Sequence, residues 1–113
     1  MTYPPSQLLV LPLDVTRPDD VFAAFACTRD AFGRLDVVFN NAGYAMVGEV
    51  ECTSDADARA LFEVNFWGAV SVSRAAVQFF REVNQPGKGG VILQNSSTSG
   101  FLEPPGMAFY SAR

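Results

Sequence analysis

Three short apolar runs punctuate the chain: Leu8-Leu9-Val10-Leu11, Leu35-Asp36-Val37-Val38-Phe39 and Val91-Ile92-Leu93. None alternates cleanly between apolar and polar positions, which is the pattern of strands covered on both faces of a parallel sheet. Between the first two, Thr16 reads as a helix N-cap with Pro18 in the first turn and Asp19 three residues on. Val21, Phe22, Phe25 and Phe32 then recur at helical spacing until Gly33. Ser54 with Asp57 opens a second, longer helix that runs to about Val83, where Asn84-Gln85-Pro86-Gly87-Lys88-Gly89-Gly90 breaks it. The order strand, helix, strand, helix, strand predicts an α/β fold with a parallel sheet and right-handed crossovers.

On a wheel of ~100° per residue, the second helix places Leu61, Phe62, Phe66, Ala69, Val70, Val72, Ala76, Val77, Phe79 and Phe80 in one half-turn. Glu63, Arg74, Gln78, Arg81 and Glu82 fall opposite. Asn65 lands inside the apolar arc, at about 40° from Leu61, where an unpartnered amide costs on the order of 1 to 3 kcal/mol. Either it bonds to neighbouring backbone or it serves a site. Trp67 is the reverse case, a large aromatic on the polar side, which marks a subunit contact or lies flat on the surface.

Composition narrows the chemistry. Of 113 residues 49% are hydrophobic, and twelve acidic against eight basic residues leave a net charge of −4. This is too apolar for a disordered tail and too acidic for a nucleic-acid binder. No apolar run approaches the ~18 residues of a membrane span, and Met1-Thr2-Tyr3-Pro4-Pro5 lacks the features of a signal peptide, so a soluble, cytoplasmic protein is expected. With no His, Ser/His/Asp triads, Cys/His dyads and His-ligated metals are excluded within these residues. Cys27 and Cys52 match no metal or redox spacing and read as reduced thiols rather than a disulfide. The length allows a single domain at most.

Two segments at strand ends carry candidate chemistry. Asn40-Asn41-Ala42-Gly43 follows the second strand, where open α/β sheets bind ligands, although Asn and Gly also make plain turns. Gln94-Asn95-Ser96-Ser97-Thr98-Ser99-Gly100 follows the third, and thirteen positions beyond Ser97 stands Tyr110. Taken alone, a Ser-rich loop is a solvated turn and a Tyr is packing.

In this order and spacing, these residues resemble the short-chain dehydrogenase/reductase family over essentially the whole chain. Leu13-Asp14-Val15-Thr16 resembles the family's Asp-Val segment beside adenine, and Asn40 to Gly43 its Asn-Asn-Ala-Gly motif. Asn65 matches its mid-helix Asn, Ser96-Ser97 its Ser-Ser strand end, and Tyr110-Ser111-Ala112 the start of Tyr-x-x-x-Lys. The resemblance implies an oxidoreductase moving hydride between a nicotinamide cofactor, NAD or NADP, and a small-molecule alcohol or ketone. Tyr110 would be the general acid and base, Ser97 would bind the carbonyl oxygen, and Asn65 would help hold a relay water. Asp14 and Val15 would meet adenine, Asn41, Ala42 and Gly43 would line the cofactor cleft, and Tyr110 would also face the cofactor. Tyr44 to Val47 and Phe101 to Met107 suggest an apolar pocket wall and so a lipophilic substrate. The parent is expected to be a homo-oligomer.

Two family features are missing from these residues. The motif Lys, which tunes a phenol that otherwise titrates near pH 10, falls one position past Arg113. Arg113 is a poor substitute, one helix position short and unable to cycle protons. No Gly-rich strand-to-helix turn for a pyrophosphate occurs either. The expectation is therefore a single partial Rossmann-type domain over residues 1–113, a doubly wound parallel sheet reduced to the family's strands 3, 4 and 5, inactive alone. The first strand would lack its native neighbours. The rival expectations are a non-catalytic fragment that associates with full-length homologues and a module that binds nucleotide without turnover.

Overall fold

A computed structural model describes Pro4 and residues 6–112. The opening segment and Arg113, on which the leader reading and the lysine substitute rest, otherwise fall outside the described residues.

Helix α1 spans Pro18–Phe32 and leads to strand β1, Val37–Asn40. After a single 3-10 turn at Val50–Cys52 comes α2, Asp55–Phe62, which passes through a π-helical stretch, Glu63–Gly68, into α3, Ala69–Glu82. Strand β2, Val91–Gln94, and two short helices, α4 (Ser99–Leu102) and α5 (Ala108–Ser111), follow. β1 and β2 pair in parallel, Val37 opposite Val91 through Asn40 opposite Gln94. The α/β expectation and the parallel sheet hold.

The first predicted strand does not form. Residues 8–14 carry no ladder, the sheet having only β1 and β2 among the described residues, and Leu8, Leu9, Val10 and Leu13 are exposed. An apolar run becomes a strand only where a neighbour takes its N–H and C=O groups, and none lies beside this one. Only Val15 at its end is buried, in a core with Val21 and Val72 against which Phe25, Val38, Val64 and Ala75 pack.

The sheet is also covered on one face only. α1 and α3 pack together and α3 lies against both strands, covering the side of Val38, Asn40 and Ile92. The alternate residues Val37, Phe39, Val91 and Leu93 remain 50–61% exposed.

Helix ends follow their local chemistry, with one correction. Ser54 caps α2 as expected, its Oγ accepting from the Asp57 amide at 3.1 Å and donating to Asp57 Oδ2 at 2.7 Å. Gly33 ends α1 at φ 66°, its N–H donating to Arg29 O at 2.8 Å. Thr16 does not cap α1, because its amide and hydroxyl both donate to Asp14 Oδ1, at 2.9 and 2.7 Å. The N-cap position falls to Arg17, without a side-chain bond.

The π stretch changes the long helix most. It takes up an extra residue per turn. Leu61, Val72, Ala76 and Phe79 are buried as predicted, yet Phe66 and Val77, placed at the rim of the same arc, are exposed. Trp67 is exposed and stands edge-on to Phe66 at 4.9 Å. Gly68 closes the π stretch against Val15; a Cβ there would lie 2.5 Å from Val15 Cγ2.

Candidate active site

The strands end on side-chain amides, Asn40 in β1 and Gln94 in β2, and each is followed by an asparagine. Asn40 is buried, and its Nδ2 donates to Ala69 O at 2.9 Å and Ser73 Oγ at 3.3 Å, while Gln94 Nε2 reaches the same hydroxyl at 2.7 Å. The helix is thereby pinned to both strands through one serine. One residue on, the side chains turn to the other side of the sheet, where Asn95 Nδ2 donates to Asn41 Oδ1 at 2.9 Å. The Asn95 amide continues the ladder by donating to Asn40 O at 3.0 Å.

Beyond these ends lies a polar cleft of about 220 Å³. Asn41, Ala42, Gly43, Tyr44 and Ala45 form one wall, Asn95 and Ser96 another, and Asn65 and the half-buried Tyr110 complete it. It sits at the carboxyl ends of parallel strands, where such sheets place their ligands.

Asn65, the anomaly of the wheel, lies within the π stretch and grips the Asn-Ala-Gly turn. Its Oδ1 accepts from the Tyr44 amide at 3.0 Å and its Nδ2 donates to Tyr44 O at 2.8 Å. Gly43 permits this closeness, since a Cβ there would lie 3.0 Å from Asn65 Oδ1. The amide is thus satisfied by backbone and faces the cleft at once, with one Nδ2 hydrogen to spare. π turns of this kind recur at functional sites.

The remaining sequence-predicted residues divide. Asn41, Ala42, Gly43, Asn65 and Tyr110 come together in the cleft. Ser97 does not line it; Ser96 does, while the half-buried Ser97 Oγ accepts from the Ser99 amide at 3.2 Å. Asp14 and Val15 lie apart from the cleft. Val15 borders a separate hollow of about 380 Å³ beside Trp67 and Gly68, and the exposed Asp14 carboxyl is held below its usual range by the Thr16 hydroxyl and amide, with a smaller contribution from Arg17. A hollow of about 630 Å³ along the flank of α3 is walled by Phe66, Val70 and Val77 with Arg74, Arg81 and Glu82 around them, and shares Asn65 with the cleft. Sequence reasoning named Asn95 and Ser96 in a candidate segment and Tyr44 in a pocket wall but gave none of them a role, and the cleft takes in all three; an amide two residues before Ser97 was the available signal for Asn95.

No Lys or Arg lines the cleft among the described residues. The single lysine, Lys88, stands in the turn before β2, at the opposite end of that strand. Cys27 and Cys52 are exposed and unbridged. No helix among the described residues is long and apolar enough to cross a membrane.

A parallel pair joined through a helix on one face, with Asn-Ala-Gly, Ser96 and Tyr110 gathered at its carboxyl end, is part of a Rossmann-type domain. The chain belongs to the short-chain dehydrogenase family, whose model matches residues 3–113. It is 42% identical over 107 residues to an uncharacterized oxidoreductase of Schizosaccharomyces pombe, covering 95% of this chain and 36% of that protein. It is 38% identical over 100 residues to 11-beta-hydroxysteroid dehydrogenase 1A of Arabidopsis thaliana, covering 88% and 27%. The crystal structure of 3-ketoacyl-(acyl-carrier-protein) reductase from Brucella melitensis, complexed with NADH, matches with a TM-score of 0.85 at 28% identity, covering 92% of this chain and 43% of that one. The chain thus spans about a third of the length of the curated relatives it matches.

Proposed function

We propose that residues 1–113 form the nicotinamide-side part of an NAD- or NADP-dependent oxidoreductase domain that interconverts an alcohol and a ketone. The observation that carries this reading is the cleft, which sets Tyr110 against both the Asn-Ala-Gly turn and the Ser-Ser turn at the carboxyl ends of the strands. The donors and acceptors around it suit the nicotinamide and its ribose, and the glycine at position 43 leaves room for close approach. When bound, the nicotinamide supplies or accepts the hydride. Tyr110 gives its phenolic proton to the carbonyl oxygen during reduction and takes it back during oxidation. Ser97, one residue beyond the cleft wall, donates its hydroxyl hydrogen to the same oxygen in this reading, while its Oγ goes on accepting from the Ser99 amide. Asn65 keeps the turn in place and offers its spare N–H to a relay water. Asp14 and Val15, remote from Tyr110, mark the adenine end.

The substrate is a small molecule with a lipophilic body. Tyr44, Val47 and Val50 are exposed in the segment after β1, Phe101 and Leu102 at the end of α4 are 88% and 75% exposed, and Gly48 N–H donating to Gly106 O at 2.7 Å ties the two regions together. A steroid dehydrogenase among the relatives agrees with this class. The protein is a cytoplasmic homo-oligomer in this reading, with Phe66 and Trp67 at the subunit contact.

The 113 residues alone are inactive in this reading, because no Lys or Arg lines the cleft among the described residues and the sequence holds no Gly-rich strand-to-helix turn to receive the phosphates. Extending the coding sequence in frame on both sides and assaying NADH and NADPH oxidation with medium-chain ketones tests it. The longer protein should turn over, the 113-residue chain should not, and Tyr110→Phe should lower kcat at least ~100-fold. No oxidation with any carbonyl substrate would overturn the reading. The uncovered face of the sheet favours a second reading, association of the chain with full-length homologues. Sedimentation of a micromolar mixture with such a homologue should then show a mixed species, and unchanged masses would sink it.

A further inference from the structure

The Asn95–Asn41 bridge is a candidate that neither the fold nor the motif requires. Both residues are exposed, and the strands are already joined there by Asn95 N–H to Asn40 O. An exposed amide-to-amide bond adds little to stability, but it fixes which way each amide points. Because Asn95 Nδ2 donates one hydrogen to Asn41 Oδ1, Asn95 keeps its second N–H, and the two atoms left without any bond are Asn41 Nδ2, a donor, and Asn95 Oδ1, an acceptor. Neither bonds another described residue, and both residues line the cleft with Ser96 and Tyr110. A donor and an acceptor side by side match a hydroxyl, which accepts with its oxygen and donates with its hydrogen. Resting on the reading above, the ring beside Tyr110 is the nicotinamide, and the hydroxyls nearest to it are those of its ribose.

We infer that Asn95, oriented by its bond to Asn41, binds a hydroxyl of the nicotinamide ribose and works with Asn41 as one paired reader of that sugar. The half of the cofactor this chain faces is reduced nicotinamide mononucleotide, whose fluorescence reports binding. Its Kd is measured for the 113-residue chain and for Asn95→Val, and again with an analogue lacking both ribose hydroxyls. Asn95→Val should raise the Kd of the normal ligand about tenfold and leave that of the analogue within about twofold. An equal rise for both ligands would make the bridge merely structural and overturn the inference, as would no rise for either. No binding of either ligand at millimolar concentration would overturn the functional reading and this inference with it. Should circular dichroism show Asn95→Val unfolded, Asn95→Leu keeps the volume and removes both the donor and the acceptor. The same selective loss is expected of it, and an unchanged Kd overturns the inference. In the parent chain the Asn95 and Asn41 side-chain amide NMR signals should shift with the normal ligand and stay in place with the analogue; equal shifts would count against it.

Discussion

The two ends of β1 are held by the same device put to different uses. At the amino end, Asn84 clasps Leu35, its Oδ1 accepting from the Leu35 amide at 3.0 Å and its Nδ2 donating to Leu35 O at 2.6 Å. Beyond the carboxyl end, Asn65 clasps Tyr44 in the same reciprocal way. In both cases a side-chain amide stands where a neighbouring strand would supply N–H and C=O. Asn84 is buried and spends its remaining N–H on Gly89 O at 2.7 Å, so its capacity to donate is used up. Asn65 is half-buried, rides on a π turn and keeps one N–H facing the cleft. One clasp only holds; the other holds while leaving a donor for chemistry.

That contrast orders the substitutions. Asn84→Ala strands three backbone groups in a part-buried place and should cost about 3 kcal/mol by urea unfolding. Gly68→Ala attacks the other clasp indirectly, since its Cβ meets Val15 and pushes the π stretch off the core; a loss of about 2 kcal/mol is expected. Asn65→Ala frees backbone that water can reach, so about 1 kcal/mol is expected, together with a faster amide exchange at Tyr44. If Asn65→Ala cost as much as Asn84→Ala, the distinction between the two ends would fail.

The smallest effect is that of acid. Arg34 bonds Asp36 through two nitrogens, at 2.9 and 2.6 Å, next to the Asn84 clasp, and this pairing lowers the Asp36 carboxyl below its ordinary value of 3.8. The exposed Asp14 carboxyl is lowered too, by Thr16. A lowered carboxylate stabilises fully above its unfolded pKa, and the contribution is lost as pH falls through the folded one. Thermal melts should therefore be flat from neutrality to about pH 5 and decline below about pH 4. Since both groups are exposed, added salt should erase most of the Asp36 part.

What could be read in the sequence was what local chemistry decides. The Ser54 cap, the Gly33 stop and the two strands β1 and β2 followed from side chains within a few residues of each element. Asn65 was visible as an amide in an apolar arc, but its partner Tyr44 was not, because twenty-one positions separate them. The run at Leu8–Leu11 failed for the reason that strand pairing is not local. Phe66 and Val77 were misplaced because they fall at the rim of the predicted half-turn, at about 140° and 160° from Leu61, where an apolar pattern does not decide burial. Asn84 read as part of a breaker, which it is, while its grip on Leu35 forty-nine residues back had no local sign. In the site, the order Asn-Ala-Gly, Ser-Ser, Tyr carried the family, whereas Ser96 rather than Ser97 facing the cleft depends on how the turn after β2 is wound.

The Asn84 clasp also bears on how the chain finds its fold. Pairing β1 with β2 from the open chain closes a loop of more than fifty residues, as the Asn41–Asn95 separation of 54 records, and such closure carries a conformational-entropy cost before any ladder bond repays it. Once α3 has formed against α1, Asn84 is delivered to Leu35, and only the short turn through Gly89 separates it from β2. The helix shortens the search, so that the last step of sheet formation becomes nearly local and one side chain acts as the latch that sets the strand register.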